Sequence, residues 1–209
     1  MPSPHRRTPT AALACLGGLL CWPAQAQQVA SLAVVEIAGH YDNAVGSSDA
    51  ASQGSIGPAL IRDRALQRPA EALEFVPGLV VTQHSGDGKA NQYFLRGFNL
   101  DHGTDFATRV NGVPVNMPTH AHGQGYSDLN LLIPELLQRI DYRKGPYFAA
   151  DGDFSSAGAA DFVYRTRLSQ PLLDISLGER GYARLLAAGS HELTAGQTLL
   201  MAFERMNHD

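Results

Sequence analysis

The 209-residue chain has two cysteines, Cys15 and Cys21, and both fall within its first 26 residues. Removal of that segment leaves none, which excludes a disulfide scaffold, a thiolate metal site and a thiol nucleophile. Positive charge is also short, with 16 Lys and Arg against 20 Asp and Glu. With no basic tract interleaved with aromatics, the chain lacks the electrostatic footprint of a nucleic-acid binder. Beyond the leader no run of about 18 apolar residues occurs, so no transmembrane helix is expected, and any membrane crossing would be made by strands. No Gly-x-Ser-x-Gly elbow is present, and Gly86-Asp87-Gly88-Lys89 lacks the earlier glycine and the hydroxyl residue of a phosphate loop. What is plentiful is glycine, 21 residues, a usage that favours turns and close backbone approaches over long helices.

Residues 1–26 read as a secretory signal. His5, Arg6 and Arg7 form a basic start, Ala11 to Trp22 an apolar run too short to span a bilayer, and Ala24-Gln25-Ala26 a small-x-small cleavage site. Cleavage removes two arginines and no acid, which takes the formal charge from −4 to −6.

The mature chain opens with a short β-prone run, Leu32-Ala33-Val34-Val35-Glu36-Ile37, followed by a polar, small-residue stretch from His40 to Gly57 that reads as a flexible linker. An apolar segment on a tether suits strand addition to another protein's sheet edge; it equally suits the first strand of the next domain. Pro69 to Phe75 is predicted as a short helix ended by Val76-Pro77-Gly78, and Leu79-Val80-Val81 as a buried strand. Gly86-Asp87-Gly88 makes a turn and Gln92 to Arg96 alternates as a strand. Val110-Asn111-Gly112-Val113 carries the Asn-Gly signal of a two-residue hairpin, whose type I′ turn needs positive φ at both central positions. Pro134 to Gln138 is predicted helical and Arg139 to Arg143 a strand, broken by Lys144-Gly145-Pro146. After Phe162 the texture changes to candidate hairpins with one apolar face: Leu173, Ile175 and Leu177 alternate with Asp174 and Ser176, a turn at Glu179-Arg180-Gly181 follows, and then come runs at Tyr182 to Ala188 and Thr198 to Arg205.

Four motifs occur in one order: Pro69-Ala70-Glu71-Ala72-Leu73 leading to Val76-Pro77-Gly78-Leu79, Leu95-Arg96-Gly97-Phe98, Val110-Asn111-Gly112-Val113-Pro114, and Ile140-Asp141-Tyr142-Arg143-Lys144-Gly145-Pro146. Together, behind a secretory signal, they resemble the plug domain of TonB-dependent outer-membrane receptors. Lys144 departs from the family's usual arginine before Gly-Pro, which keeps the charge and loses the planar fork. The resemblance implies an α/β plug, a mixed β-sheet with short helices and long loops, followed by the first antiparallel hairpins of a transmembrane β-barrel. The boundaries it implies are 1–26 signal peptide, 27–57 TonB-box segment and linker, 58–165 plug, and 166–209 start of the barrel. Leu32, Ala33, Val34, Val35, Glu36 and Ile37 would be the TonB box. Pro77, Gly78, Leu95, Arg96, Gly97, Asn111, Gly112, Arg143, Lys144, Gly145 and Pro146 would carry the plug motifs.

The same resemblance implies an outer-membrane location in a Gram-negative bacterium, with the plug inside the barrel and a periplasmic N-terminus. Its implied partners are TonB, outer-membrane lipid through the rest of the barrel, and a small-molecule ligand. It further implies active uptake of a scarce nutrient such as a metal chelate or siderophore, with no catalytic activity and no permanently bound cofactor, a transported metal being cargo. Arg96, Arg143 and Lys144 would face a polar lumen or pair with barrel carboxylates, the alternative being ordinary salt bridges within the plug core. A barrel of about 22 strands needs roughly 220 residues of strand, so the chain is expected to be the N-terminal portion of a receptor.

The residues that bear chemistry cluster between Asn99 and Asp128. His120-Ala121-His122 puts two imidazoles on one side of an extended segment, near Met117 and one hairpin from Asp101-His102 and Asp105. Imidazole with thioether suits copper, and imidazole with carboxylate suits zinc or iron. A polar loop whose histidines hydrogen-bond or face water accounts for the same pattern. The candidate ligands are therefore His102, Asp105, Met117, His120 and His122. Two other functions fit the sequence: a periplasmic plug-like module that binds a ligand or signals without a barrel, and a secreted metal-dependent enzyme using His120 and His122.

Overall fold

Among the described residues, strands and tight turns build three sheets. The computed structural model describes residues 51–83 and 89–207. The candidate TonB box, most of the linker and the Gly86-Asp87-Gly88 turn lie outside the described residues. In chain order the elements are β1 (Gln53–Ile56), α1 (Pro58–Asp63), a 3-10 helix (Pro69–Phe75), β2 (Leu79–Thr82), β3 (Gln92–Leu95), β4 (Phe98–Asn99), β5 (Phe106–Val110) and β6 (Val113–Pro114). A 3-10 turn (Pro134–Leu136), β7 (Leu137–Lys144), a second 3-10 turn (Ala149–Asp151) and β8 (Gly158–Tyr164) follow. The chain then continues as β9 (Leu172–Leu177), β10 (Ala183–Thr194) and β11 (Gln197–Asn207).

The five-stranded sheet has the order β1-β7-β8-β5-β6. β5 and β8 run parallel, Phe106 opposite Gly158 through Val110 opposite Phe162, and the other neighbours are antiparallel. The mixed sheet is the one expected of the plug. Phe106, Ile140 and Phe162, one from each central strand, are fully buried. Leu73 of the 3-10 segment, Val76 just after it, and Leu129 and Leu132 of the long loop before β7 close over them. At the β5–β6 hairpin, Asn111 and Gly112 have φ of 51° and 78°, the left-handed pair that an Asn-Gly type I′ turn requires. β2, β3 and β4 make a small antiparallel sheet in which Tyr93 and Leu95 of β3 are buried, in step with the predicted alternation. β9, β10 and β11 make a third, antiparallel sheet. Among the described residues no helix is long and apolar enough to cross a membrane, which says nothing of a β-barrel.

Several local readings are corrected. The end of the predicted linker is β1, which pairs with β7 and buries Ser55 and Ile56; its residues are too few and too polar for periodicity to reveal, and the partner strand supplies the order. The Ser55 hydroxyl donates to Asp141 Oδ1 at 2.6 Å across that pairing. α1 has no counterpart in the sequence reading, although Pro58 stands at its first turn. Pro69–Phe75 is helical as predicted but of the tighter 3-10 type. β2 is not buried throughout, since Val80 is 50% exposed. Arg96 lies outside β3, with φ of 52° beside Gly97. The helix predicted over Pro134 to Gln138 stops at Leu136, and the strand runs from Leu137 through Lys144, because sheet pairing on both edges of β7 overrides local propensity.

Candidate functional site

Three segments, 89–93, 99–105 and 116–127, converge at one end of the mixed sheet, and Asn116 ties two of them. Its buried Nδ2 donates to the carbonyls of Gly103 (2.8 Å), Phe106 (3.0 Å) and Gly125 (3.0 Å), and its Oδ1 accepts from the Thr108 N–H (2.6 Å) and hydroxyl (3.0 Å). The Ser127 N–H donates to the His102 carbonyl at 2.8 Å, and the Ser127 hydroxyl is in short hydrogen-bond contact with that of Thr108. Gly103, with φ of 116°, is required here: a Cβ would lie 2.8 Å from Ser127 Cβ and 3.0 Å from the Gly125 carbonyl oxygen. The segment 89–93 is held by the Ala90 N–H, which donates to Tyr126 Oη at 2.6 Å, and by Tyr93 Oη, which donates to the Ser127 carbonyl at 3.0 Å. Burial, then the charge of Asp128 and the neighbouring Tyr126, push the Tyr93 phenol up from its ordinary value, so it stays a neutral donor. Buried polar groups satisfied in this way fix a single loop arrangement.

On this frame stands a cluster of rings. His102 is 2% exposed. Its Nδ1 lies 2.9 Å from the Ala90 carbonyl and 3.1 Å from the Asn91 carbonyl. A carbonyl can only accept, so Nδ1 carries a proton toward them. Nε2 faces Asp101 Oδ1 at 3.7 Å, and the His122 ring meets the His102 ring edge-on with centroids 4.4 Å apart. Ligand atoms of Asp101, His102 and His122 lie within 4.8 Å of one another. His120 stacks on Tyr126 at 3.9 Å, and its Nδ1 accepts the His122 N–H at 3.1 Å.

The structure thus brings His102, His120 and His122 together and separates them from two other candidates. Asp105 is held by hydroxyls, accepting from Thr104 at 2.8 Å and from Ser156. Met117 pairs through its backbone with Tyr126, N–H to carbonyl at 2.8 Å, and its side chain is exposed. Asp101 takes the place that Asp105 was expected to fill. Its backbone N–H donates to Asn99 Oδ1 at 2.8 Å, an Asx turn legible in Asn-x-Asp. Tyr126 as the ring platform carries no comparable signal, because its partners are distant in sequence.

The plug-motif charges divide. Arg143 pairs with the buried Asp151 at 2.9 Å and lies over the Phe148 ring at 4.5 Å, with Arg109 on the same carboxylate at 3.4 Å. Of the two expectations, this is salt bridging within the plug. Lys144 is buried, and its Nζ donates to the Pro77 carbonyl at 3.4 Å, linking the Gly-Pro motif to the Pro-Gly motif. Arg96 is exposed. Asn111 accepts the Tyr164 N–H at 2.8 Å through Oδ1 and so holds the hairpin tip to the end of β8.

A mixed five-stranded sheet capped by ordered loops and continuing directly into long antiparallel hairpins defines a plug followed by the opening of a β-barrel. The TonB-dependent receptor plug domain family matches residues 47–159, and the chain belongs to that family. Solved structures share the fold. The siderophore receptor PiuA from Acinetobacter baumannii aligns with a TM-score of 0.53 and 18% identity over 76% of this chain and 21% of its own. The ferric enterobactin receptor PfeA of Pseudomonas aeruginosa gives 0.59 and 18%, over 78% and 26%. The siderophore receptor PirA from Pseudomonas aeruginosa gives 0.52 and 19%, over 78% and 30%. The chain therefore spans less than a third of the length of these receptors.

Proposed function

We propose that this chain is the plug and first barrel strands of an outer-membrane receptor that takes up a scarce nutrient, a metal-containing chelate, by TonB-driven transport. The observation that carries the proposal is the junction at Tyr164 to Leu172, where a plug sheet passes directly into strands whose outward side chains are apolar. Siderophore receptors among the fold neighbours support the cargo class. On this reading residues 1–26 are an export signal, 27–52 a box and tether, 53–165 the plug with β1 as its first strand, and 166–209 the start of the barrel. Leu32–Ile37 adds a strand to TonB, traction on the tether rearranges the plug, and the ligand passes. The chain acts as a transporter in this scheme and needs no catalytic group. Deletion of Leu32–Ile37 in the natural gene is the test. Growth should fall under limitation of one metal nutrient from a panel of iron, zinc, copper and nickel, with the protein still in the outer-membrane fraction. Unchanged growth under every limitation overturns the proposal, and recovery of the protein in the soluble periplasm supports a binding module instead.

A further inference from the structure

We propose that Asp101, His102 and His122 ligate a divalent transition-metal ion directly, so that the cargo is a metal ion or complex with exchangeable coordination positions and not a saturated chelate. The inference rests on the uptake reading for its cargo role and on the geometry for the site itself. His102 has the preparation of a metal ligand: a buried ring, Nδ1–H committed to the carbonyls of Ala90 and Asn91, and Nε2 directed at a carboxylate. Backbone acceptance from the far ring nitrogen fixes tautomer and orientation and raises ligand basicity.

The spacing is close to what an ion needs. Two ligands on one tetrahedral ion at about 2.0–2.1 Å are ~3.3 Å apart, and His102 Nε2 to Asp101 Oδ1 is 3.7 Å. His122 is exposed and can swing the remaining distance, whereas His102 and the Asx-turned Asp101 are held by backbone. His120 is excluded from the set because its Nδ1 accepts the His122 N–H and its ring is stacked on Tyr126. Two imidazoles and one carboxylate suit zinc and its Irving–Williams neighbours, and three protein ligands leave at least one position open to water or to a donor from the cargo. A hexadentate ferric chelate has no position to give such ligands, so a saturated siderophore gains nothing from this constellation.

The experiment titrates the purified, folded, signal-free chain (residues 27–209), which has no cysteine, with Zn2+ alone by calorimetry and repeats it with Co2+ to read ligand-field bands. One equivalent of Zn2+ should bind. His122→Ala and Asp101→Asn should each weaken binding at least about tenfold and abolish the Co2+ bands, and His191→Ala, a surface histidine on β10, should change neither. Absence of a one-to-one isotherm, or equal binding by wild type and His122→Ala, overturns the site. If the site fails while deletion of Leu32–Ile37 still impairs growth, uptake stands with another cargo. If Zn2+ binds as described and the deletion has no effect, the site stands and the transport reading falls.

Discussion

The plug and the hairpin sheet use the same alternating residues in opposite senses. In the plug, strands turn their large apolar side chains inward: Tyr93, Phe106, Ile140 and Phe162 are fully buried, and the polar groups are stapled to one another. In the hairpins, Leu173, Ile175 and Leu177 of β9 are 68%, 66% and 80% exposed, and Met201 and Phe203 of β11 are 63% and 58% exposed. The register explains this. Leu173, Ala187 and Phe203 lie abreast on one face, as do Ile175 and Leu185. The other face carries Asp174, Arg184 and Glu204, and there Arg184 reaches the plug through Glu135 with Nη1 to Oε1 at 2.6 Å and Nη2 to Oε2 at 3.0 Å. A soluble sheet would place its apolar face against the rest of the domain; this one places its polar face there, as a barrel wall around a filled lumen does. An exposed apolar sheet face of this extent calls for a partner.

The sharpest way to break the comparison is to truncate one phenylalanine in each region. Phe162→Ala leaves a cavity in a closed core and should cost about 3–5 kcal/mol. Phe203→Ala removes a ring with no protein around much of it and should cost under about 1 kcal/mol in detergent-free solution. Urea denaturation of both variants reads the difference. Equal losses would mean that the hairpin face is covered by protein and that the inverted alternation is misassigned.

The contact between the regions has a smaller expected effect. Arg184 is largely buried and bidentate on Glu135 while its Nε donates to Glu204 at 2.6 Å. Arg184 and Glu135 should therefore show a double-mutant coupling of about 1 kcal/mol, at the upper end for a pair whose acid is partly exposed. Hydrogen exchange locates it: Arg184→Ala should lower protection in β9 and β10 and leave β7 and β8 unchanged. Uniform loss throughout the chain would show that plug and hairpins unfold as one unit and not as separable layers.

Legibility in the sequence follows the range of the interactions. The Asn111-Gly112 hairpin, the alternation of β3 and β9, and the turn at Arg180-Gly181 were readable because each depends on neighbours in the chain. β1 was hidden because its order comes from β7, across 86 residues at the Ser55 to Asp141 contact. The same holds at the site. His120 and His122 announced themselves by spacing, but the choice of Asp101 over Asp105 depends on Thr104 and Ser156 claiming the latter. No local pattern records that Ala90 and Asn91 would point carbonyls at His102. Short-range signals located the loops, and long-range hydrogen bonds decided which of their side chains face one another.

Lys144 is a buried cation in the plug, and its effect is the smallest expected here. Burial, with Arg96 adding like-charge repulsion, lowers its pKa from the usual lysine value. Between that lowered value and 10.5 the unfolded chain binds more protons than the folded one, so this group's contribution to stability rises with pH across the window and is least favourable below it. Lys144→Met keeps an unbranched apolar stem and removes the charge. The variant should match or exceed wild type at pH 7, within about 1 kcal/mol, and lose ground to it as pH is raised toward 10.5, where wild type becomes neutral too and regains the Pro77 hydrogen bond without the desolvation cost. Because the other titrating groups are common to both chains, the difference in denaturation midpoint isolates Lys144. A difference that stays flat over that window would mean that the ammonium reaches water, and that the plug, like the hairpin sheet, keeps its charge at a wet surface.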